Sequence, residues 1–315
     1  MGKGLAQFFG LAAEVELRGF DKVGNSAAAV VANAQPRTLE VETMQSVRIV
    51  RLATACVAAA ITFGAVLMAD HSWGSYHWAR TTTSFNLTIV NSTTSDWDPY
   101  VSQAISDWSK SDALNMVQDP SGSTDSRDRR QCRGPAGAVR ICNLEYGFNG
   151  WLGIAGISID AAGHIVTGYT KLNDSYFSTS TYDRPDWKQS VACQELGHNI
   201  GLDHQDEDFD NKSLFSCMDY QDPPFQFPNA HDYEQLLTIY RHLDSYNSYS
   251  GGGGGGGGTC NAPPGKGCNK ADAPQDPPGN AWGLSLGRKG QKEKFLRIDP
   301  DGTRHITFVT WVAGH

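Results

Sequence analysis

Phe85, Leu87 and Ile89 alternate with polar neighbours, the period-two pattern of a half-buried strand, and they predict the first strand of a sheet. Asp98 and Pro99 then supply an N-cap and a first-turn proline, and Val101, Ala104, Ile105 and Trp108 follow at helical spacing. That segment is expected to be an amphipathic helix packed on the sheet. Residues 118 to 136, rich in Asp, Ser, Arg and Gly, predict a long surface loop. Strands are expected near 139 to 144, 156 to 160 and 165 to 172, the last two joined by a turn over 161 to 164. A helix is expected over 187 to 200. Residues 221 to 228, interrupted by Pro223, Pro224 and Pro228, predict an irregular wall. Tyr233, Leu236, Leu237, Tyr240 and Leu243 mark a last helix capped by Asn229. Helices and strands in this order predict an α+β fold.

Two stretches break the pattern. Residues 52 to 69 form an uncharged apolar run preceded by Arg48 and Arg51, the layout of a secretory signal, and at this length the run also reaches the lower limit of a membrane span. In both cases the basic flank stays inside and the following part is exported. Met44 as the true start, with 1 to 43 not translated, fits a signal over 44 to 69; a cytoplasmic tail over 1 to 43 fits an anchor. The second break is Gly251 to Gly258, an unbroken run of glycines with no capacity to form a core. The expected organisation is a folded domain over 70 to 246, a linker over 247 to 258, and a small Pro/Gly-rich tail over 259 to 315. The tail is expected to end in a β-hairpin around Pro300-Asp301-Gly302, and an isolated hairpin is barely stable, so it needs a surface to pack on.

The densest chemistry lies in Cys193-Gln-Glu-Leu-Gly-His-Asn-Ile-Gly-Leu-Asp-His204. Residues 194 and 198 share one face of a helix, Glu195 lies one step round, Gly201 permits a sharp exit, and His204 follows the turn. Ser216-Cys-Met-Asp-Tyr220 lies downstream. Together these resemble the metzincin metallopeptidases, whose motif H-E-x-x-H-x-x-G-x-x-H is followed by a turn carrying a Met below the metal. The resemblance covers about residues 83 to 246, closest to matrixin-like or small bacterial secreted members. It implies a twisted mixed sheet with an active-site helix, a Met-turn and a C-terminal helix. It also implies Zn2+ held by His198, His204 and the residue at 194, Glu195 as general base, Met218 below the metal, Tyr220 beside the reacting carbonyl, and a peptide laid along a sheet edge.

The chain departs from that family at the first ligand, where Gln194 replaces His. Its amide oxygen is neutral and of similar reach, but zinc favours imidazole nitrogen. Three outcomes stay open: Gln194 as a long, weak ligand, a water in its place, or a catalytically inactive binding domain on the same scaffold.

Cys56 falls inside the apolar run and leaves six cysteines, an even count that suits disulfides in an exported chain. Proximity in sequence favours Cys132 with Cys142 and Cys260 with Cys268. The metzincin likeness brings the zinc helix against the Met-turn, and so implies a bridge between Cys193 and Cys217. A net charge of -8 and a pI near 5.5 argue against a nucleic-acid partner. Asp206, Glu207, Asp208, Asp210 and Asn211 make either a solvated acidic loop or a Ca2+ site of oxygen ligands. A peptide or protein is the expected substrate, a monomer the expected state, and a membrane is expected as partner only through residues 52 to 69 if they remain.

Overall fold

The computed structural model describes residues 71–72, 74–206, 212–249 and 282–315, all within one compact unit, Met68–His315. The apolar run, the glycine run, Cys260, Cys268 and most of the acidic loop lie outside the described residues. No helix among the described residues is long and apolar enough to cross a membrane.

In chain order the elements are β1 (His77–Trp78), β2 (Phe85–Ser92), α1 (Asp98–Trp108), β3 (Leu114–Asp119), α2 (Ser126–Gln131), β4 (Val139–Leu144), β5 (Trp151–Ile159), β6 (His164–Asn173), α3 (Asp174–Phe177), α4 (Pro185–His198), α5 (Ala230–Ile239), β7 (Leu284–Lys289), β8 (Lys292–Ile298) and β9 (Arg304–Trp311). The strands form one mixed sheet in the order β3-β2-β4-β6-β5-β9-β8-β7, with β1 beside the start of β6. β1, β2, β3, β4 and β6 run parallel to their neighbours in that half, and every pair from β6–β5 outward to β8–β7 is antiparallel. The chain is therefore an α+β protein with a mixed, multi-stranded sheet.

α1 and α4 pack together on the sheet, and Trp108 Nε1–H donates to the Cys193 carbonyl at 2.9 Å. The core between them takes Leu87, Ile89, Val101, Trp108, Ile141 and Leu196, all buried. α4 has no polar face: from Ser190 to His198 every residue is buried, because the sheet covers one side and α1 and the chain after His204 the other. At α1, Asp98 is the first helical residue rather than the cap. A short 3-10 turn over Ser95–Trp97 precedes it, and its carboxylate accepts from Asn91 Nδ2 at 3.1 Å. The segment 118 to 136 is not all loop. β3 runs to Asp119, and α2 is started by Asp125, whose side chain accepts from the Arg127 and Asp128 N–H groups. α2 buries none of its residues, so no apolar period announces it.

Two further differences concern the end of the domain. Asn247 to Tyr249, assigned by composition to the linker, are buried against the start of the domain. The Asn247 side chain accepts from Thr81 N–H, Ser248 Oγ accepts from Ala79 N–H, and Tyr249 packs on Phe85. The tail is more than a hairpin: β7, β8 and β9 extend the main sheet beyond β5. Period-two geometry decides what each face of β9 meets. Ile306 and Phe308 enter the main core, whereas Val309 and Trp311 join Trp151, Ile154 and Trp282 in a second apolar cluster.

Candidate active site

α4 carries Gln194, Glu195 and His198 into the interior at 3%, 0% and 0% exposure. The helix ends in a Schellman arrangement, with Gly201 N–H donating to the His198 carbonyl and Leu202 N–H to that of Gly197. Gly201 has φ +100, and a Cβ there would stand 2.6 Å from the Tyr76 carbonyl, so both conformation and space call for glycine. The turn brings His204 round to His198, ring to ring at 4.5 Å and edge-on. His198 Nδ1–H donates to the Leu202 carbonyl at 2.9 Å, which fixes the tautomer and leaves Nε2 as the nitrogen with a lone pair. That Nε2 and Glu195 Oε2 are buried without a hydrogen bond. Buried polar atoms are normally satisfied, so these two mark a site built for something else. His204 Nδ1 meets the Tyr220 hydroxyl at 2.9 Å, which leaves coordination to its Nε2.

Met218 forms the floor. Its sulfur lies directly below Gly197, where a Cβ would stand 2.7 Å from Sδ. The turn around it is fixed by Ser216 Oγ, which accepts from Met218 N–H and donates to Asp232 at 2.6 Å. Asp232 also closes the Asn229 capping box of α5. Among the described residues there are two disulfides, Cys132–Cys142 and Cys193–Cys217, and the second joins α4 to the Met218 turn. Removing it with Cys193→Ala and Cys217→Ala is expected to cost about 2 to 4 kcal/mol in denaturant unfolding. An unchanged midpoint would show that packing alone holds the floor against the helix.

The other wall is β5 together with the tail. Gly153 of β5 passes so close to Glu195 that a Cβ would stand 2.6 Å from Oε1. β9 pairs antiparallel along the whole of β5, so the edge of β5 beside Glu195 is filled. Three tail side chains then reach the α4 residues. Thr310 Oγ1 donates to Glu195 Oε1 at 2.6 Å, Phe308 stacks flat on His198 at 4.2 Å, and Lys292 Nζ donates to Gln194 Oε1. Lys292 also reaches Thr310 Oγ1 at 2.6 Å and lies 5.0 Å from the Tyr220 ring centre. Lys294 forms an ion pair with Asp203 at 2.7 Å. The remaining space between Trp187, Val191, Tyr220 and Lys292 is about 20 Å³, enough for one water and for no peptide.

Burial governs the charges. It raises the Glu195 carboxyl to about 7, with Lys292 and Thr310 pulling the other way. It lowers the Lys292 ammonium to about 7, opposed by Glu195. His198 and His204 are held well below the usual imidazole range, first by burial, and are neutral at pH 7. Neutral imidazoles are the form that binds metals. The two histidines thus fit a zinc-class ion. Gln194 does not in this arrangement, because its carbonyl oxygen faces an ammonium, and an ammonium and a dication repel at such range.

No family model matches the sequence, and no curated protein matches it. Similar solved structures include an archaemetzincin from Archaeoglobus fulgidus in complex with malonate, at 12% identity, over 48% of this chain and 99% of that one, TM-score 0.30. Myroilysin is similar at 13% identity, over 54% of this chain and 98% of that one, TM-score 0.32.

The structure thus brings Gln194, Glu195, His198, His204, Met218 and Tyr220 to one place. Sequence reasoning missed Lys292, Phe308 and Thr310. Thr310, between Val309 and Trp311, carries the alternation of a half-buried strand, whereas Lys292, between Gln291 and Glu293, carries no such signal. It also missed a second group, His77, His242 and Asp244, whose side chains stand close enough together to coordinate a metal ion.

Proposed function

We propose that the chain is an exported zinc-dependent endopeptidase of metzincin type, made in a closed form in which its own C-terminal strands occupy the site. The observation that carries the peptidase reading is the buried Glu195 beside two neutral imidazoles, His198 and His204, with His198 Nε2 and Glu195 Oε2 buried without a hydrogen bond. Once Lys292 has left Gln194, zinc would be held by His198 Nε2 and His204 Nε2, with Gln194 or a water as the weak third partner, and would supply Lewis acidity. Glu195, one step round the helix from Gln194, would take the proton of the attacking water. The Tyr220 hydroxyl stands beside His204 to donate to the developing oxyanion. The edge of β5 receives an extended peptide by strand addition once β9 has left it. Two disulfides support an oxidising compartment, in keeping with export through residues 52 to 69.

One observation favours a second reading. The Lys292 ammonium already places a cation beside Gln194 and Glu195. If it never leaves, the chain is an inactive binding domain. Zinc content and casein hydrolysis of the full chain separate the two. Zinc that is lost in His198→Ala, and that a chelator removes together with hydrolysis, supports the enzyme. Gln194→His is expected to tighten that zinc at least tenfold, about 1.4 kcal/mol, because imidazole is the better ligand. Zinc bound by the His variant alone would leave the inactive reading standing.

A further inference from the structure

A second cluster of imidazoles lies outside the α4 site, where the start of the described domain meets its end. β1 pairs with β6 in the register His77 to His164, which sets two histidines side by side on neighbouring strands. The chain leaving α5 crosses them and brings His242 and Asp244. Asp244 is pinned there by two backbone bonds, its N–H to the Arg80 carbonyl at 2.7 Å and Arg80 N–H to its Oδ2 at 2.8 Å. Oδ1 is left facing the histidines.

His77 Nδ1–H donates to the Ser75 carbonyl at 2.6 Å, which leaves Nε2 to face His242 and Asp244. That Nε2 lies 3.2 Å from His242 Nε2 and 3.5 Å from Asp244 Oδ1, and His242 Nε2 lies 3.6 Å from the same oxygen. A tetrahedral zinc with ligands at about 2.0 to 2.1 Å has ligand-to-ligand edges of about 3.3 Å. The three donors form a triangle of that size. His164 Nε2 approaches Asp244 Oδ1 at 3.2 Å, and its Nδ1 meets the Tyr246 hydroxyl at 2.7 Å, which in turn donates to Asp160 at 2.7 Å. Outer hydrogen bonds of this kind orient the groups that coordinate metals. His77 and Asp244 are almost closed off from solvent, whereas the His242 side chain is half exposed. Its ring borders a surface cavity of about 230 Å³ together with Ser75, Gln235 and Thr238, which gives an ion a way in.

We propose that His77, His242 and Asp244 form a zinc-class divalent metal site that clips the first strand to the segment after α5. Two imidazoles and a carboxylate select zinc or a neighbouring transition ion over calcium or magnesium. The ion is structural: it binds the folded chain and not the unfolded one, so it raises the melting temperature. This site stands apart from the α4 histidines and does not depend on the peptidase reading.

The test uses the full chain, stripped of metal and titrated with ZnCl2 against a competing chelator. In a His198→Ala, His204→Ala background, one zinc per chain is expected to remain, with a higher melting temperature in its presence. Co2+ in its place is expected to show visible absorption of a tetrahedral ion. His242→Ala, at an exposed ring, is expected to fold normally and to lose at least tenfold in zinc affinity. Should the double-histidine background fail to fold, the same site is read in the otherwise native chain as the one zinc lost on His242→Ala. The proposal is overturned if zinc content, affinity and melting temperature are unchanged by His242→Ala. It is equally overturned if the motif-deficient chain folds and takes up no zinc. Then His242 merely donates a hydrogen bond to His77.

Discussion

Replacing Glu195 by Gln is expected to lower peptide hydrolysis by about 10²- to 10⁴-fold, the span lost when a positioned general base is removed. The exchange keeps shape and neutralises charge. The Thr310 hydroxyl still finds an acceptor, since an amide oxygen replaces Oε1 at the same reach. His198 and His204 keep their own partners, Leu202 and Tyr220, so zinc retention should change little. Burial without a partner for Oε2 costs the wild-type carboxylate stability, so Glu195→Gln is also expected to melt no lower than the parent. Equal turnover of parent and variant on casein, measured with equal zinc content, would remove Glu195 from the reaction.

The second large effect concerns the tail. Thr307 lies mid-strand in β9, opposite Gly156 of β5 on one side and Phe295 of β8 on the other. Thr307→Pro removes a ladder donor in mid-strand and sets a ring against the paired strand. If β9 opens and closes over the site, each ~1.4 kcal/mol lost from the closed form raises the open population about tenfold. Casein hydrolysis is expected to rise in step, until opening is no longer limiting. Lys292→Met is the milder companion. It withdraws the ammonium from Gln194 while keeping the stem's apolar contacts, and zinc affinity at α4 should rise. Hydrogen exchange of the β5 amides reports whether β9 has loosened. Loosened strands with bound zinc and no gain in hydrolysis would show that the tail is not what restrains the enzyme.

Much of the fold was legible because its signals are local. The alternation at Phe85, Leu87 and Ile89, the Pro99 start and the Asn229 cap act within a few residues, and β2, α1 and α5 follow them. The grouping of Gln194, Glu195 and His198 was legible for the same reason, since one helix turn joins them. What escaped was long-range. Lys292 lies 98 residues from Gln194, and nothing in its own neighbourhood says that it will be buried there. β9 has a strand's pattern but not its partner's address. The His77 cluster is spread over the two ends of the domain, and a pair of histidines at 77 and 164 has no spacing to recognise.

The tail's attachment has a kinetic meaning of its own. Three strands joined to the domain by residues 250–281, glycine-rich in sequence, meet the β5 edge as an intramolecular competitor. A strand joined to its partner within one chain competes at an effective concentration on the order of 1 mM. A peptide arriving from solution must out-compete a strand already present at that level. The same strand is equally complementary to β5 of another copy. Crowding the chains towards millimolar concentration therefore favours exchange of tails between them, and with it dimers in which each molecule closes its neighbour's cleft.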